Sequence, residues 1–223
     1  MIKRTFIDKV RSDGYNTIAI SFLASLFSFY YSYYLGLCGL LFTAFCIWFF
    51  RDPDRVVPNR SDIVISPADG IVVDIERNVS SPEFKDGSWT RIGIFLRLSD
   101  VHVNRFPISG KIMHMKYEKG GFGFAWGKKT HMKNERLAIF IKGFIDCIVV
   151  QIAGFVARRI VTDVSTKDDA KMGSTYGMIK FGSRVDTYFP GDMIIHIKRK
   201  QTVVAGETII ASKPKITKES NEK

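Results

Sequence analysis

A serine hydroxyl placed directly after a glycine can attack the carbonyl carbon of the preceding residue, because glycine has no side chain in the way and tolerates a strained backbone. The pair Gly182-Ser183 lies in the stretch Tyr176-Gly-Met-Ile-Lys-Phe-Gly-Ser-Arg-Val-Asp186. Attack would replace the peptide bond by an ester. β-Elimination of that ester cuts the chain and leaves dehydroalanine, whose imine tautomer is hydrolysed by water, releasing ammonia and leaving an N-terminal pyruvoyl group. A pyruvoyl carbonyl condenses with amines and withdraws electrons, as amino-acid decarboxylation requires. Such chemistry also needs a group that exchanges protons near neutral pH. His102, in Leu98-Ser-Asp-Val-His-Val-Asn-Arg105, is of that type. Asp69, in Ser66-Pro-Ala-Asp-Gly70, has the pattern of a turn residue at a strand end, and Asp100 is a second carboxylate close to His102 in sequence.

These residues must be held by short strands. Ile63–Ile65, Gly70–Ile75, Ile92–Leu96, Leu137–Ile141, Cys147–Ile152, Arg159–Val164, Val185–Phe189 and Met193–Ile197 are brief, β-branched and separated by turn residues. The expectation is a mostly β domain of packed antiparallel sheets, preceded by an N-terminal hydrophobic helical hairpin. Arg51 to Arg60, with Pro53 and Pro58, reads as a linker, so residues 1–50 form one segment and 51–223 the catalytic domain. Gly120-Gly-Phe-Gly-Phe124 and Trp126 suggest a loop over a site, and Ser212 to Lys223 a frayed tail.

Thr17 to Phe50 is a run of 34 residues without a charge. It is too long for a signal-peptide core of about 7–15 residues and longer than the roughly 20 of a single span. Two short helices fit, with the turn expected near Gly36 and Gly39. Lys3, Arg4, Lys9 and Arg11 precede the run, and Arg51 and Arg55 follow it, which places both ends on the cytoplasmic side of a cell membrane. Removal of residues 1–50 is then expected to release the protein from the membrane and leave self-cleavage intact. The net charge of +11 suits an anionic membrane surface. Nucleic-acid binding is the poorer reading, since no basic-aromatic motif accompanies the charge. Cys38, Cys46 and Cys147 form neither a disulfide framework nor a metal spacing.

Five short motifs together resemble phosphatidylserine decarboxylase of the short form. They are Phe49-Phe-Arg-Asp-Pro-Asp54, Ser66-Pro-Ala-Asp-Gly70, Asp100-Val-His-Val-Asn-Arg105, Asn134-Glu-Arg136, and Phe181-Gly-Ser-Arg-Val-Asp186 with the later Pro190-Gly191. Their order is the family's order. The resemblance implies a bacterial, membrane-associated proenzyme that cuts itself between Gly182 and Ser183 into a β chain (1–182) and an α chain (183–223), which remain associated. It also implies a covalent pyruvoyl group made from Ser183 that forms a Schiff base with phosphatidylserine, with no metal and no pyridoxal phosphate. Phosphatidylethanolamine and carbon dioxide are the implied products. Of the other Gly-Ser pairs, Gly87-Ser88 has no family context. Gly173-Ser174-Thr175 is like the cleavage motif of longer family members but lacks the strand and Pro-Gly that follow Ser183. The resemblance makes Asp69 the aspartate associated with self-cleavage and His102 the candidate proton donor. Longer members carry a second histidine where Arg105 stands. Arg136 is left between phosphate contact and a structural ion pair. His114, His131 and His196 match no motif. A homo-oligomer is possible on this reading.

One different class competes. Ser66–Val73 and Val204–Ala211 are similar to the strands of biotinyl/lipoyl-like carrier domains, which with a membrane hairpin would suit a transport adaptor. Met115-Lys116 and Met132-Lys133 lack the flanking pattern of a modified hairpin tip.

Overall fold

The computed structural model describes residues 9–80, 87–120, 134–154, 160–179 and 183–214. Phe124 and Trp126 of the expected loop, His131, Met132-Lys133, Gly182 and residues 215–223 lie outside them. Two helices, α1 (Tyr15–Tyr31) and α2 (Tyr33–Phe49), form the hairpin. The turn is not at the glycines. A single residue, Ser32, adopts an extended conformation (φ −160°, ψ 134°) and breaks the helix. Gly36 and Gly39 lie inside α2 because a Cβ there would strike the Phe29 ring and Ser25 of α1, so their task is close helix packing. The hydroxyls of Ser21, Ser25, Ser28 and Thr43 each donate to a carbonyl of their own helix. The outward face is apolar and aromatic, with Ile20, Leu23, Phe27, Tyr30, Tyr31, Tyr34 and Leu41 exposed. No helix among the described residues is long and apolar enough to cross a membrane.

The strands are β1 (Lys9–Val10), β2 (Arg51–Asp52), β3 (Ile63–Ile65), β4 (Gly70–Val79), β5 (Trp89–Leu96), β6 (Val103–Arg105), β7 (Gly110–Glu118), β8 (Arg136–Gly143), β9 (Asp146–Ala153), β10 (Ile160–Thr162), β11 (Asp169–Ala170), β12 (Thr175–Ile179), β13 (Ser183–Pro190), β14 (Ile194–Ile195), β15 (Thr202–Val203) and β16 (Ile209–Ser212). The ribbon β1–β2 pairs Val10 with Arg51 and so ties the two ends of the hairpin together. The main sheet runs β11-β7-β8-β9-β13-β5-β4-β15. Two three-stranded sheets, β10-β12-β6 and β14-β16-β3, complete the domain. All the pairings are antiparallel.

Strand alternation sends Ile92, Ile94, Leu96, Val149, Val185 and Phe189 to one face of the main sheet. There they share a core with Val64, Phe106, Tyr176, Ile179 and Ile210 from the smaller sheets and their connections. The opposite face carries Trp89, Ala138, Ile148, Val150, Ile152 and Tyr188. Arg184 and Asp186 alternate onto this second face. Arg184 is fully buried and lies 2.5 Å from Asp186 and 2.7 Å from Asp74, while Arg91 reaches Glu76 at 2.8 Å. Burial alone would raise the Asp74 carboxyl, but the hydrogen bond and charge of Arg184 hold it below its ordinary value. Gly93 makes this possible, since a Cβ there would overlap the Arg184 guanidinium. Arg184 and Asp186 therefore fix the register of β13 from behind.

Candidate active site

The antiparallel order brings the motifs to one end of the main sheet. β4 begins at Gly70, just after Asp69. β5 ends at Leu96, and the chain then runs to Asp100 and His102. β13 begins at Ser183, β9 ends at Ala153, and β8 begins at Arg136, just after Asn134. Ser183 stands between Leu96 and Ala153 in register. Residues far apart in sequence are thus neighbours across successive strands.

Ser183 is fully buried, and alternation turns it toward the inner face with Val185. Its Oγ finds no hydrogen-bond partner among the described residues. A buried hydroxyl in that state costs stability; the hydroxyls of Thr90, Tyr176 and Thr187 share it, so it is the position of Ser183 after Gly182 at the sheet end that sets it apart. The other candidate differs: the Ser174 hydroxyl donates to the Lys171 carbonyl at 2.7 Å. Near Ser183 on the inner face lies a buried pair that sequence reading missed. Gln151 in β9 donates from Nε2 to Asn104 Oδ1 at 2.8 Å, leaving Asn104 Nδ2 and Gln151 Oε1 without a partner among the described residues. Asn104 was visible within its motif, whereas Gln151 carried no signal beyond a polar residue in an apolar strand.

His102 is also fully buried. Its Nδ1 lies 2.9 Å from the Asp100 carbonyl oxygen and so donates to it, which leaves the lone pair of the neutral ring on Nε2. Burial pushes the imidazole down to about 4, against the opposing pull of the Asp100 carbonyl and charge. The His102 carbonyl accepts from Ile179 N at 3.3 Å, four residues before Ser183 in the chain. Asp100 itself is engaged by Arg97 through both carboxylate oxygens.

Asp69 is placed differently. Its Oδ2 accepts from Arg55 at 2.8 Å and its Oδ1 from the Ala205 backbone N–H at 2.7 Å. Its described bonds therefore reach neither Ser183 nor His102. Asp69 ties the segment after the hairpin to the loop before β16. Arg55, read as linker, is its partner. Arg105, at the place of the second family histidine, donates to Asp52, to the Pro53 carbonyl and to the Gly173 carbonyl. It acts as a brace. Arg136 forms an ion pair with Glu118, and Asn134 donates to the Ala153 carbonyl at 2.7 Å, directly beside Ser183. His196 bonds Ser212, and His114 stacks on Phe140, away from this sheet end. Met115-Lys116 sits within β7, with Lys116 2.6 Å from Glu118, not at an exposed hairpin tip. No group of three or more metal-ligating side chains occurs among the described residues.

Asp69→Asn is expected to accumulate uncut chain. The amide keeps one acceptor but turns an N–H₂ toward a guanidinium or an amide N–H, so one charged hydrogen bond worth about 1.5–3 kcal/mol is lost. Gel analysis of cleavage over time checks this, and cleavage at the parent rate would remove Asp69 from maturation.

The sequence also matches known proteins. Residues 42–211 match the family described as phosphatidylserine decarboxylase. The chain is similar to the phosphatidylserine decarboxylase proenzyme of Ehrlichia chaffeensis, 44% identical over 209 residues and 92% of each chain. It is similar to that of Wolbachia pipientis wMel at 41% over 212 residues, again 92% of each. The proenzyme of Rickettsia rickettsii is 43% identical over 206 residues, covering 91% of this chain and 89% of the relative. With the family match spanning most of the domain and relatives this similar over nearly their whole length, the chain belongs to the phosphatidylserine decarboxylase family.

Proposed function

We propose that this chain is a bacterial proenzyme that cuts itself between Gly182 and Ser183 and then removes carbon dioxide from phosphatidylserine, giving phosphatidylethanolamine. The observation that carries the reading is Ser183 itself: buried, its hydroxyl committed to no described partner, at the start of a central strand and opposite Leu96, where the chain leaves β5 for His102. A pyruvoyl group at that position supplies a carbonyl that captures the head-group amine and takes up the electrons released as carbon dioxide leaves. The residues around it fit such a group, because the Ser183 Oγ has no bond to surrender. Nε2 of neutral His102 is the atom suited to accept the Ser183 hydroxyl proton and, later, to deliver a proton to the substrate carbon. Asp69 and Arg105 are positioning residues that hold the loops around the sheet end.

The cut would leave β13 at the head of the α chain, paired to β5 along its whole length and to β9 from Ser183 to Tyr188. β15 pairs with β4 and β16 with β3. Every one of those partners belongs to the β chain, which explains how the two pieces would stay together. Intact mass under denaturing conditions tests the reading. Two chains, 1–182 and 183–223, are expected, the smaller blocked to Edman degradation. A single intact chain that nevertheless decarboxylates phosphatidylserine would overturn it.

We further propose that residues 1–50 are the membrane-associated segment of a catalytic domain formed by 51–223. Seventeen-residue helices are about 25 Å long, a little short of the roughly 30 Å hydrocarbon core. Their exposed apolar face, internally bonded hydroxyls and basic flanks suit entry from the cytoplasmic side. Full-length protein should float with phosphatidylserine vesicles. A chain that is soluble without detergent and ignores such vesicles would end this part of the proposal.

A further inference from the structure

The hairpin does more than hold the domain at a surface. Phe49 is the last residue of α2, and its ring lies 4.5 Å from the His102 ring, centroid to centroid, at 39°. Phe49 and Phe50 are almost fully buried and form one apolar cluster with Met178 of β12, flanked by Val10, Phe45 and Val161. Ile179, next to Met178, donates its N–H to the His102 carbonyl. The helix end is tied to the same loop a second time: Arg51 packs over Trp48 and donates to the Ser99 carbonyl, three residues before His102. The imidazole is therefore walled on one side by the anchor and on another by β12.

We propose that the end of the hairpin is part of the active site, with Phe49 as a positioning residue that covers the His102 imidazole and keeps it dry and neutral. The inference rests on the decarboxylase reading for its use but not for its geometry. The charged groups in play are Asp100, whose charge is offset by Arg97, and Arg51, whose positive charge also disfavours imidazolium. Phe49, Phe50, Met178 and Val161 supply no charge. Burial is thus the main influence on the ring, and the Phe49 ring lies directly against it. A consequence reverses the expectation drawn from sequence. Removal of residues 1–50 takes away the cover of His102 along with the anchor, so self-cleavage should fail or change its pH dependence. Because one hairpin carries both the exposed apolar face proposed to meet the membrane and, at its end, the ring against His102, seating of the hairpin and readiness of the site are physically linked.

The test reads the imidazole directly. Full-length Ser183→Ala protein in detergent micelles, with isotope-labelled histidine, is titrated by NMR, and the His102 signal is assigned by its loss in His102→Gln. The expected midpoint is below pH 5. Phe49→Ala on this background should raise it toward the ordinary imidazole value near 6.5, whereas Phe49→Tyr, which keeps the ring, should restore the low midpoint. If Phe49→Ala does not fold, Phe49→Val, which opens a gap beside the imidazole, takes its place. An unchanged midpoint in the folded variant overturns the proposal. Since the protein is uncut in every arm, that failure is distinct from a failure of the decarboxylase reading, which would show as absent cleavage or turnover in the parent chain. In the Ser183 background, the acid limb of self-cleavage should move to higher pH with Phe49→Ala and return with Phe49→Tyr.

Discussion

Ser183→Ala is expected to leave the chain uncut and without activity. The substitution removes the atom that would attack the Gly182 carbonyl and the precursor of the carbonyl that would hold the substrate amine. No neighbour can replace it: Leu96 and Ala153 flank the position in register, and the nearest other Gly-Ser pair has its hydroxyl bonded to Lys171. The loss should equal the whole rate enhancement, at least about 10⁶-fold. The same change should not weaken the fold. Ser183 Oγ is buried without a described partner, so its removal deletes a desolvated polar atom at little cost in packing, and the uncut variant should be equally stable or more stable by about 1 kcal/mol. Denaturing gels and carbon dioxide release check the first expectation, and thermal unfolding beside a Ser174→Ala control checks the second. A cut, active Ser183→Ala protein would sink the central assignment, and loss of the cut in Ser174→Ala would move the register.

How much of this was legible in the chain depends on what each residue does. Gly182-Ser183 could be picked out as a candidate because the chemistry it would do is local. The β-rich class and the hairpin followed from apolar runs. Two of the strands did not. β6 is three residues long, and β7 buries only one of its nine, so neither has an apolar run to reveal it. The helix break at Ser32 was hidden because glycines were nearby and a single serine gives no turn signal. The resemblance tied Asp69 to self-cleavage, whereas the bonds its carboxylate makes, to Arg55 and the Ala205 N–H, lie 14 and 136 positions away and carry no local signal. The Arg-Val-Asp that follows Ser183 marks the site in sequence, yet Arg184 and Asp186 face away from it and clamp β13 from the far side. Nothing local in the sequence predicts which face of a central strand carries charge, since that depends on Gly93 leaving room across the sheet.

His102→Ala is the second large effect. The neutral imidazole bonds through Nδ1 to a carbonyl and keeps its lone pair on Nε2. Replacing it would remove the group proposed as proton acceptor for Ser183 and as donor for the later step. General acid–base groups contribute about 10²–10⁴-fold. Arg105 cannot substitute, being permanently charged and braced to Asp52, so the cut itself should slow by about that factor and whatever matures should turn over slowly. The pH dependence carries a sign. The folded imidazole sits at about 4 and the unfolded one near 6.5, so between those values the unfolded chain binds the extra proton. Stability from this group is complete above about pH 6.5 and is lost as pH falls toward 4, by about 3 kcal/mol in all. If self-cleavage uses the neutral ring as proposed, it should hold from neutrality to about pH 5 and fall below it, where an ordinary histidine would already have failed. In His102→Ala both the acid limb of cleavage and that part of the acid destabilisation should vanish. The readout is a cleavage time course at stepped pH beside denaturant unfolding of the Ser183→Ala and Ser183→Ala/His102→Ala proteins. Parent rates and a parent acid limb in the alanine variant would take His102 out of the mechanism.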